Sequence, residues 1–248
     1  MLQSTIWPHL NLVLFNRQEI DHPLPLTDHR AMHLLSVLHR RPGDSFDAGI
    51  INGPKGKGTL LELGPDHLSF TFSGTEEPPP VDPIALLIGL PRPQTARKIL
   101  QETTTLGVAA LHFVRTEKGE PSYADSNLWH SLEWRRHVTA GAAQAFCTQV
   151  PIVSHGQPLP EAIDLLPAGG NRIALDNYEA PTRFSDYQLA DKLPTVVAFG
   201  AERGWSAKER EMLRNNGFTF AHLGPRVLRL ETAVMAALVL LKAQRGSI

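Results

Sequence analysis

Apolar residues along this chain follow two rhythms. Through about residue 75 they come in short runs broken by glycine and proline, at 10–15, 45–51, 58–63 and 67–73. Runs of that length between turn formers predict strands. Asn52-Gly-Pro-Lys-Gly-Lys-Gly58 between two of them predicts a hairpin loop. Strands recurring every ten residues or so predict a small barrel. One helix interrupts them, over 28–38: Thr27 or Asp28 caps it, and Met32, Leu34, Leu35 and Leu38 form its apolar side.

The second rhythm begins after Thr75-Glu-Glu-Pro-Pro-Pro-Val-Asp-Pro83. Three consecutive prolines stiffen the backbone and cannot lie inside a sheet. A domain boundary is therefore expected here, with one domain at 1–75, a linker at 76–83 and a second domain at 84–248. Continuous apolar runs at 84–90, 109–114, 172–175 and 195–199 predict buried strands. Helices are expected from Pro91-Arg-Pro93 to Leu106-Gly107 and over 128–146. Apolar strands alternating with helices imply a parallel sheet covered on both faces.

Composition narrows the class. The chain has 248 residues, 42% hydrophobic and 20% charged, which suits a globular protein long enough to bury a sizeable core. Its formal net charge of −1 means that any nucleic-acid contact must come from local basic patches. The single cysteine, Cys147, excludes an internal disulfide and a cysteine-based zinc site. His29 and His33 sit one helical turn apart without a third ligand, so no metal is expected. Residues 1–9 lack a secretory leader's basic and long apolar regions, and the apolar run at 233–241 is too short to span a bilayer. A cytoplasmic protein with no membrane span is the expectation.

Candidate chemistry concentrates in two segments. The strand at 195–199 runs into Gly200-Ala-Glu-Arg-Gly204, and then Ser206 and Glu209 have the spacing of a capping box that starts a helix. Asn215-Asn-Gly217 stops that helix. The loop is thus expected at the carboxyl edge of a parallel sheet, where α/β proteins place ligands. It matches neither a P-loop nor a dinucleotide fingerprint. A further strand at 218–223 leads into Gly224-Pro225, then Arg229, Glu231 and Thr232, which is placed to cap a helix at 233–244. That helix is apolar almost all round, so it should be buried. Charges entering it must be paired or functional, and an Arg229–Glu231 pair is one resolution.

Phe199-Gly-Ala-Glu-Arg-Gly-Trp-Ser-Ala-Lys-Glu209 together with Leu223-Gly-Pro-Arg-Val-Leu-Arg-Leu-Glu-Thr-Ala233 resembles the RsmE-type family of 16S rRNA uridine-N3 methyltransferases, of the SPOUT superfamily. Leu90-Pro-Arg92, Leu106-Gly-Val108 and Ala142-Ala-Gln144 add to the likeness, which extends over essentially the whole chain. The resemblance implies a PUA-like β-barrel followed by an α/β domain with a trefoil knot, an S-adenosylmethionine cofactor, ribosomal RNA of the small subunit as substrate, and a homodimer.

The resemblance also implies roles for particular positions. Cofactor-holding segments map to Leu175 and Asp176; to Phe199, Gly200, Ala201 and Gly204; and to Leu223, Gly224, Val227, Leu228, Leu230 and Thr232. Arg229 is the expected stabiliser of charge on the pyrimidine, oriented by Glu231, with Glu202 lining the same pocket. Arg40, Arg41, Arg92 and Arg97 are the expected RNA contacts, since phosphate contacts dominate affinity. Trp205 is a candidate to cover the cofactor or a base. The chain departs from the family's Gly-Pro-Glu-Gly-Gly loop at Ala201 and Arg203, and has Cys147 and Gln149 where arginines are usual. Two functions stay open at this point: an RNA methyltransferase, or an RNA-binding ribosome-assembly protein of the same fold without catalysis.

Overall fold

The computed structural model describes residues 12–190 and 193–248; residues 10 and 11 of the first expected strand lie outside these. The chain forms two compact units. One comprises the described residues through Pro80 together with Ala142–Val150, and the other Val81–Gly141 with Pro151–Ile248.

The first unit is built on strands β1 (Val13–Phe15), β2 (Leu24–Pro25), β3 (Ser45–Ile50), β4 (Lys55–Leu63) and β5 (His67–Glu76), with helix α1 (His29–Met32) before β3. Their order is β1-β3-β4-β5-β2. Among the described residues the β1–β3 pairing is parallel and the rest of the ladder antiparallel. Among the described residues β1 and β2 stand at the two ends of this order, so the strands form a half-barrel where a barrel is the expectation. Its core gathers Phe15, Leu34, Phe46, Leu60 and Leu68, and the rings of Phe15 and Phe70 stack 4.7 Å apart.

Asp28 caps α1 by accepting the Arg30 N–H at 2.8 Å. Past Met32 the helix widens into a π-turn over His33–Val37, which buries Leu34 and leaves Met32 half exposed. The hairpin loop is shorter than expected because β4 already begins at Lys55. Its opening Lys-Gly alternation gives no apolar period, so the expected strand at 58–63 starts three residues early, at Lys55. Residues 142–150 join this unit through sequence-distant bonds: Thr148 Oγ1 donates to the Gly53 carbonyl at 2.6 Å, and the Val150 N–H to Asn52 Oδ1 at 3.0 Å.

The second unit runs β6 (Asp82–Gly89), α2 (Pro93–Thr105), β7 (Val108–Arg115), α3 (Asn127–His130), α4 (Glu133–Gln144, whose residues from Ala142 on belong to the first unit), β8 (Ile152–Pro158), α5 (Leu159–Asp164), β9 (Asn171–Leu175), β10 (Thr182–Arg183), β11 (Thr195–Phe199), α6 (Ala207–Asn215), β12 (Thr219–His222) and α7 (Leu230–Gln244). Its seven strands form a parallel sheet in the order β10-β12-β9-β11-β6-β7-β8. The expected long helix at 128–146 is two helices. Leu132 at φ +60° breaks it, and the first piece turns Trp129 inward onto Phe113 and His155. β8 and α5 were not expected: β8 is an edge strand of mixed polarity, so it carries no apolar run.

Helix α7 begins at Leu230, three residues before its expected start, with Arg229 in the capping position. Thr232 therefore lies inside the first turn and caps nothing. Nor is the helix buried all round. Val234, Ala237, Leu238 and Leu241 are buried, whereas Val239 and Leu240 are 42% and 38% exposed. Lys242 is buried in the last turns and is neutralised by Asp82 at the start of β6. Among the described residues no helix is long and apolar enough to cross a membrane.

Candidate active site

Strands β12, β9, β11 and β6 are consecutive neighbours and all parallel, so the segments that follow them emerge side by side at one carboxyl edge. They enclose a cavity of about 450 Å³, within the range that holds a small-molecule ligand.

The loop after β11 forms one wall. Phe199, Gly200, Ala201, Glu202, Arg203 and Gly204 all line the cavity. The loop is fixed at both ends. Gly204 N–H donates to the Ala201 carbonyl at 2.7 Å. The expected capping box then starts α6, with Ser206 Oγ accepting from Glu209 N–H and Glu209 Oε2 from Ser206 N–H. Glu209 Oε1 also accepts the Glu117 N–H at 2.8 Å. Trp205 is fully buried, its indole N–H donating to the Leu175 carbonyl at 3.2 Å. It therefore braces the loop after β9 from beneath and cannot cover a ligand.

The segment after β9 forms the floor and one rim. Leu175, Asp176, Asn177 and Tyr178 line the cavity. Asp176 is the organising residue. Its Oδ1 accepts the N–H groups of Tyr178 and Glu179 at 2.6 and 2.8 Å, and its Oδ2 accepts Arg210 Nε at 2.8 Å. The Asp176 and Arg210 side chains are only 2% and 9% exposed.

The turn after β12 forms the other wall, with His222, Leu223, Val227, Leu228, Arg229, Leu230 and Glu231. Gly224 sits in this turn with its N–H on His222 Nδ1 at 3.0 Å. That bond makes Nδ1 an acceptor, so the imidazole carries its proton on Nε2. Arg229 lines the cavity with an exposed side chain, and among the described residues no carboxylate pairs with it. Glu231 does not orient Arg229 as expected; its Oε1 lies 3.5 Å from Lys98 Nζ. The reason is helical geometry: Arg229 is the cap while Glu231 projects from the first turn toward α2. Glu202 reaches the opening of α2 instead, its Oε1 accepting the Arg92 N–H at 3.2 Å.

Most sequence-derived positions thus converge on one cavity. Gly224 and Thr232 do not line it. Of the expected RNA contacts, Arg92 lines the cavity, whereas Arg40 and Arg41 belong to the other unit. Arg97 is held by Glu133 through bonds of 2.7 and 3.2 Å. The Arg97 guanidinium, and then His137, hold the Glu133 carboxyl down at about 2. Sequence reading missed Asn177, Tyr178 and His222, which carry no motif, and Arg210, whose partner lies 34 residues away.

Comparison with known proteins places the chain. Residues 77–242 match the model of a family described as an RNA methyltransferase domain, and the chain belongs to that family. The Ribosomal RNA small subunit methyltransferase E of Treponema pallidum is 33% identical over 92% of this chain and 89% of its own. That of Borreliella burgdorferi, numbered E 1, is 27% identical over 93% and 97%. The crystal structure of a Ribosomal RNA small subunit methyltransferase E from Neisseria gonorrhoeae bound to S-adenosyl methionine has the same fold, with a TM-score of 0.76, 23% identity, and coverage of 95% and 98%.

Proposed function

We propose that this chain is an S-adenosylmethionine-dependent methyltransferase acting on N3 of a uridine in small-subunit ribosomal RNA. The observation that carries the reading is the cavity itself: three neighbouring loops of the parallel sheet, rich in close-packed backbone, with an unpaired arginine at the mouth. The names of the Treponema and Borreliella relatives support the ribosomal substrate, and the ligand of the Neisseria structure supports the cofactor.

The residues present fit that cofactor. Leu175, Phe199 through Gly204, Leu223 and Val227 through Leu230 surround a space of suitable size, and Phe199, Ala201 and Leu230 supply buried apolar surface. When bound, S-adenosylmethionine supplies an electrophilic methyl group on a sulfonium. Uridine N3 must lose its proton as it takes the methyl, so negative charge spreads onto the pyrimidine oxygens. The Arg229 guanidinium, with no carboxylate among the described residues to neutralise it, stabilises that charge. Glu202 and Glu231 are the cavity carboxylates suited to accept the N3 proton. Gly224 holds the turn that presents Arg229, and Thr232 sits in the first helical turn behind it.

Arg40, Arg41 and Arg92 serve as phosphate contacts, and Arg97 joins them if RNA displaces Glu133. The family resemblance supports a PUA-like first domain, a trefoil knot in the second, a cytoplasmic location and a homodimer. The exposed Val239 and Leu240 on α7 suit the last of these. Ribosomal RNA from a deletion strain should lack one 3-methyluridine by mass spectrometry, and the wild-type gene should restore it. An unchanged modification map would overturn the assigned substrate. Arg229→Ala should lower kcat about 10²–10³-fold while calorimetry still detects S-adenosylmethionine binding; full activity in this variant would remove Arg229 from the mechanism.

A further inference from the structure

Tyr178 lines the cavity yet is 80% exposed. Single exposed aromatics are ordinary on protein surfaces, but this one stands on a braced loop. Asp176 accepts the Tyr178 and Glu179 N–H groups, and buried Arg210 holds Asp176 in turn. The same guanidinium lies 5.4 Å from the Tyr178 ring centroid and so backs the ring. The ring's Cε2 comes within 4.0 Å of where a side chain on Gly204 would begin, which places it beside the loop after β11. Burying an ion pair is costly in itself, and here it fixes the one aromatic ring exposed among the cavity-lining residues.

We infer that Tyr178 is a stacking platform for the target base of the RNA, held in position by Asp176 and Arg210. The inference rests on the methyltransferase reading above. Exposure separates this ring from the cofactor-holding wall. Phe199, Ala201 and Leu230 are 2%, 6% and 9% exposed, as a wall enclosing a small ligand should be. A ring open to solvent at the same mouth faces what arrives from outside. An unpaired base presents a flat π-face that gains by stacking on an exposed aromatic. The guanidinium behind the ring limits its movement, so little freedom is lost when a base docks. Val227, 84% exposed on the turn after β12, adds a second apolar contact at the mouth.

The test uses the full chain, radiolabelled S-adenosylmethionine and small ribosomal subunits purified from the deletion strain. Tyr178→Ala should lower kcat/KM for subunits about tenfold or more, with the Kd for S-adenosylmethionine by calorimetry changed less than twofold. Tyr178→Phe should stay near wild type, because stacking needs the ring and not the hydroxyl. Two results overturn the inference: unchanged kcat/KM in Tyr178→Ala, or a tenfold loss of cofactor affinity in that variant, which would make the ring a cofactor cover. Retained cofactor binding also shows that the variant is folded. A wild-type chain that neither binds S-adenosylmethionine nor methylates subunits would remove the underlying reading and this inference together. An active wild type beside an unimpaired Tyr178→Ala removes this inference alone.

Discussion

The two walls of the cavity are made by opposite means. The loop after β11 is set by crowding: Ala201 and Trp205 are buried, and the backbone of Gly200 and Ala201 presses against Gly89 at the end of β6. The turn after β12 stands in the open. Pro225, Arg226, Val227 and Arg229 are exposed, and nothing lies within 4 Å of where a side chain on Gly224 would begin. A wall held by packing has one geometry before any ligand arrives, which favours a small cofactor that must be placed to a fraction of an ångström. A wall held by a turn and presenting an unpaired cation suits a large, charged, incoming substrate. The contrast predicts that damage to the first wall costs cofactor binding most, and that damage to the second, whose Leu223 and Leu230 also line the cofactor space, costs catalysis most.

The largest effect should come from Gly89→Ala. A Cβ there would fall 2.3 Å from the Ala201 nitrogen and 2.9 Å from the Gly200 carbonyl carbon, both backbone atoms that cannot rotate away. Overpacking of this kind costs about 1–3 kcal/mol or more, and relief requires moving the loop itself. Calorimetry should find no S-adenosylmethionine binding, while circular dichroism retains the mixed α/β spectrum. Cofactor affinity at the wild-type level would show that the wall is softer than its packing implies.

Arg210→Met comes next. It leaves the Asp176 carboxylate buried without its partner, which typically costs about 3–5 kcal/mol. For a chain of this size the melting temperature should fall by on the order of 10 °C, and the Tyr178 loop should gain amide exchange. The double variant Asp176→Asn, Arg210→Met should recover much of the loss, because an uncharged pair has no unpaired charge to bury. Double-variant stability no better than Arg210→Met alone would mean that the guanidinium acts through the Tyr178 ring instead of through Asp176.

The same contrast explains how much of the site was legible in the sequence. Gly200 through Gly204 and the Ser206–Glu209 capping box are local signals, written within ten residues and read by spacing alone. The run from Leu223 to Ala233 was legible for the same reason, although its cap fell to Arg229 and not Thr232. Long-range partners leave no such trace. Asp176 and Arg210 are ordinary charged residues until β9 and α6 bring them together. Arg97 reads as an RNA contact until α4 supplies Glu133. Residues 142–150 pack with a unit that pattern reading had closed before the proline linker. Tyr178 carries no motif; only its place on a braced loop beside the cavity singles it out.

On the second wall, Gly224→Ala should act through backbone strain alone. Its φ of +106° is unfavourable for a residue with a side chain, while the space around it is open. The expected cost is about 1–2 kcal/mol, with the turn relaxing and carrying Arg229 away from the cavity. Methyl-transfer kcat should fall severalfold, and S-adenosylmethionine affinity should move less than it does in Gly89→Ala. Equal losses of affinity in the two variants would erase the distinction between the walls.

The smallest effect should be the response of the shared sheet to acid. Burial lowers the pKa of the His112 imidazole on β7 below its ordinary 6.5. Burial, aided by the charge of His130, does the same for His155 on β8. The folded chain therefore resists protonation at pH values where the unfolded chain accepts it. Stability from this source is fully present above about pH 6.5 and declines as pH falls below it. The slope per histidine cannot exceed one proton, or about 1.4 kcal/mol per pH unit. Because His112 Nδ1 sits 2.8 Å from Ser154 Oγ between the two strands, His112→Asn should flatten the acid limb of a denaturation-versus-pH profile. A profile between pH 7.5 and 5.5 that is identical in the variant would show that His112 titrates alike in the folded and unfolded chain.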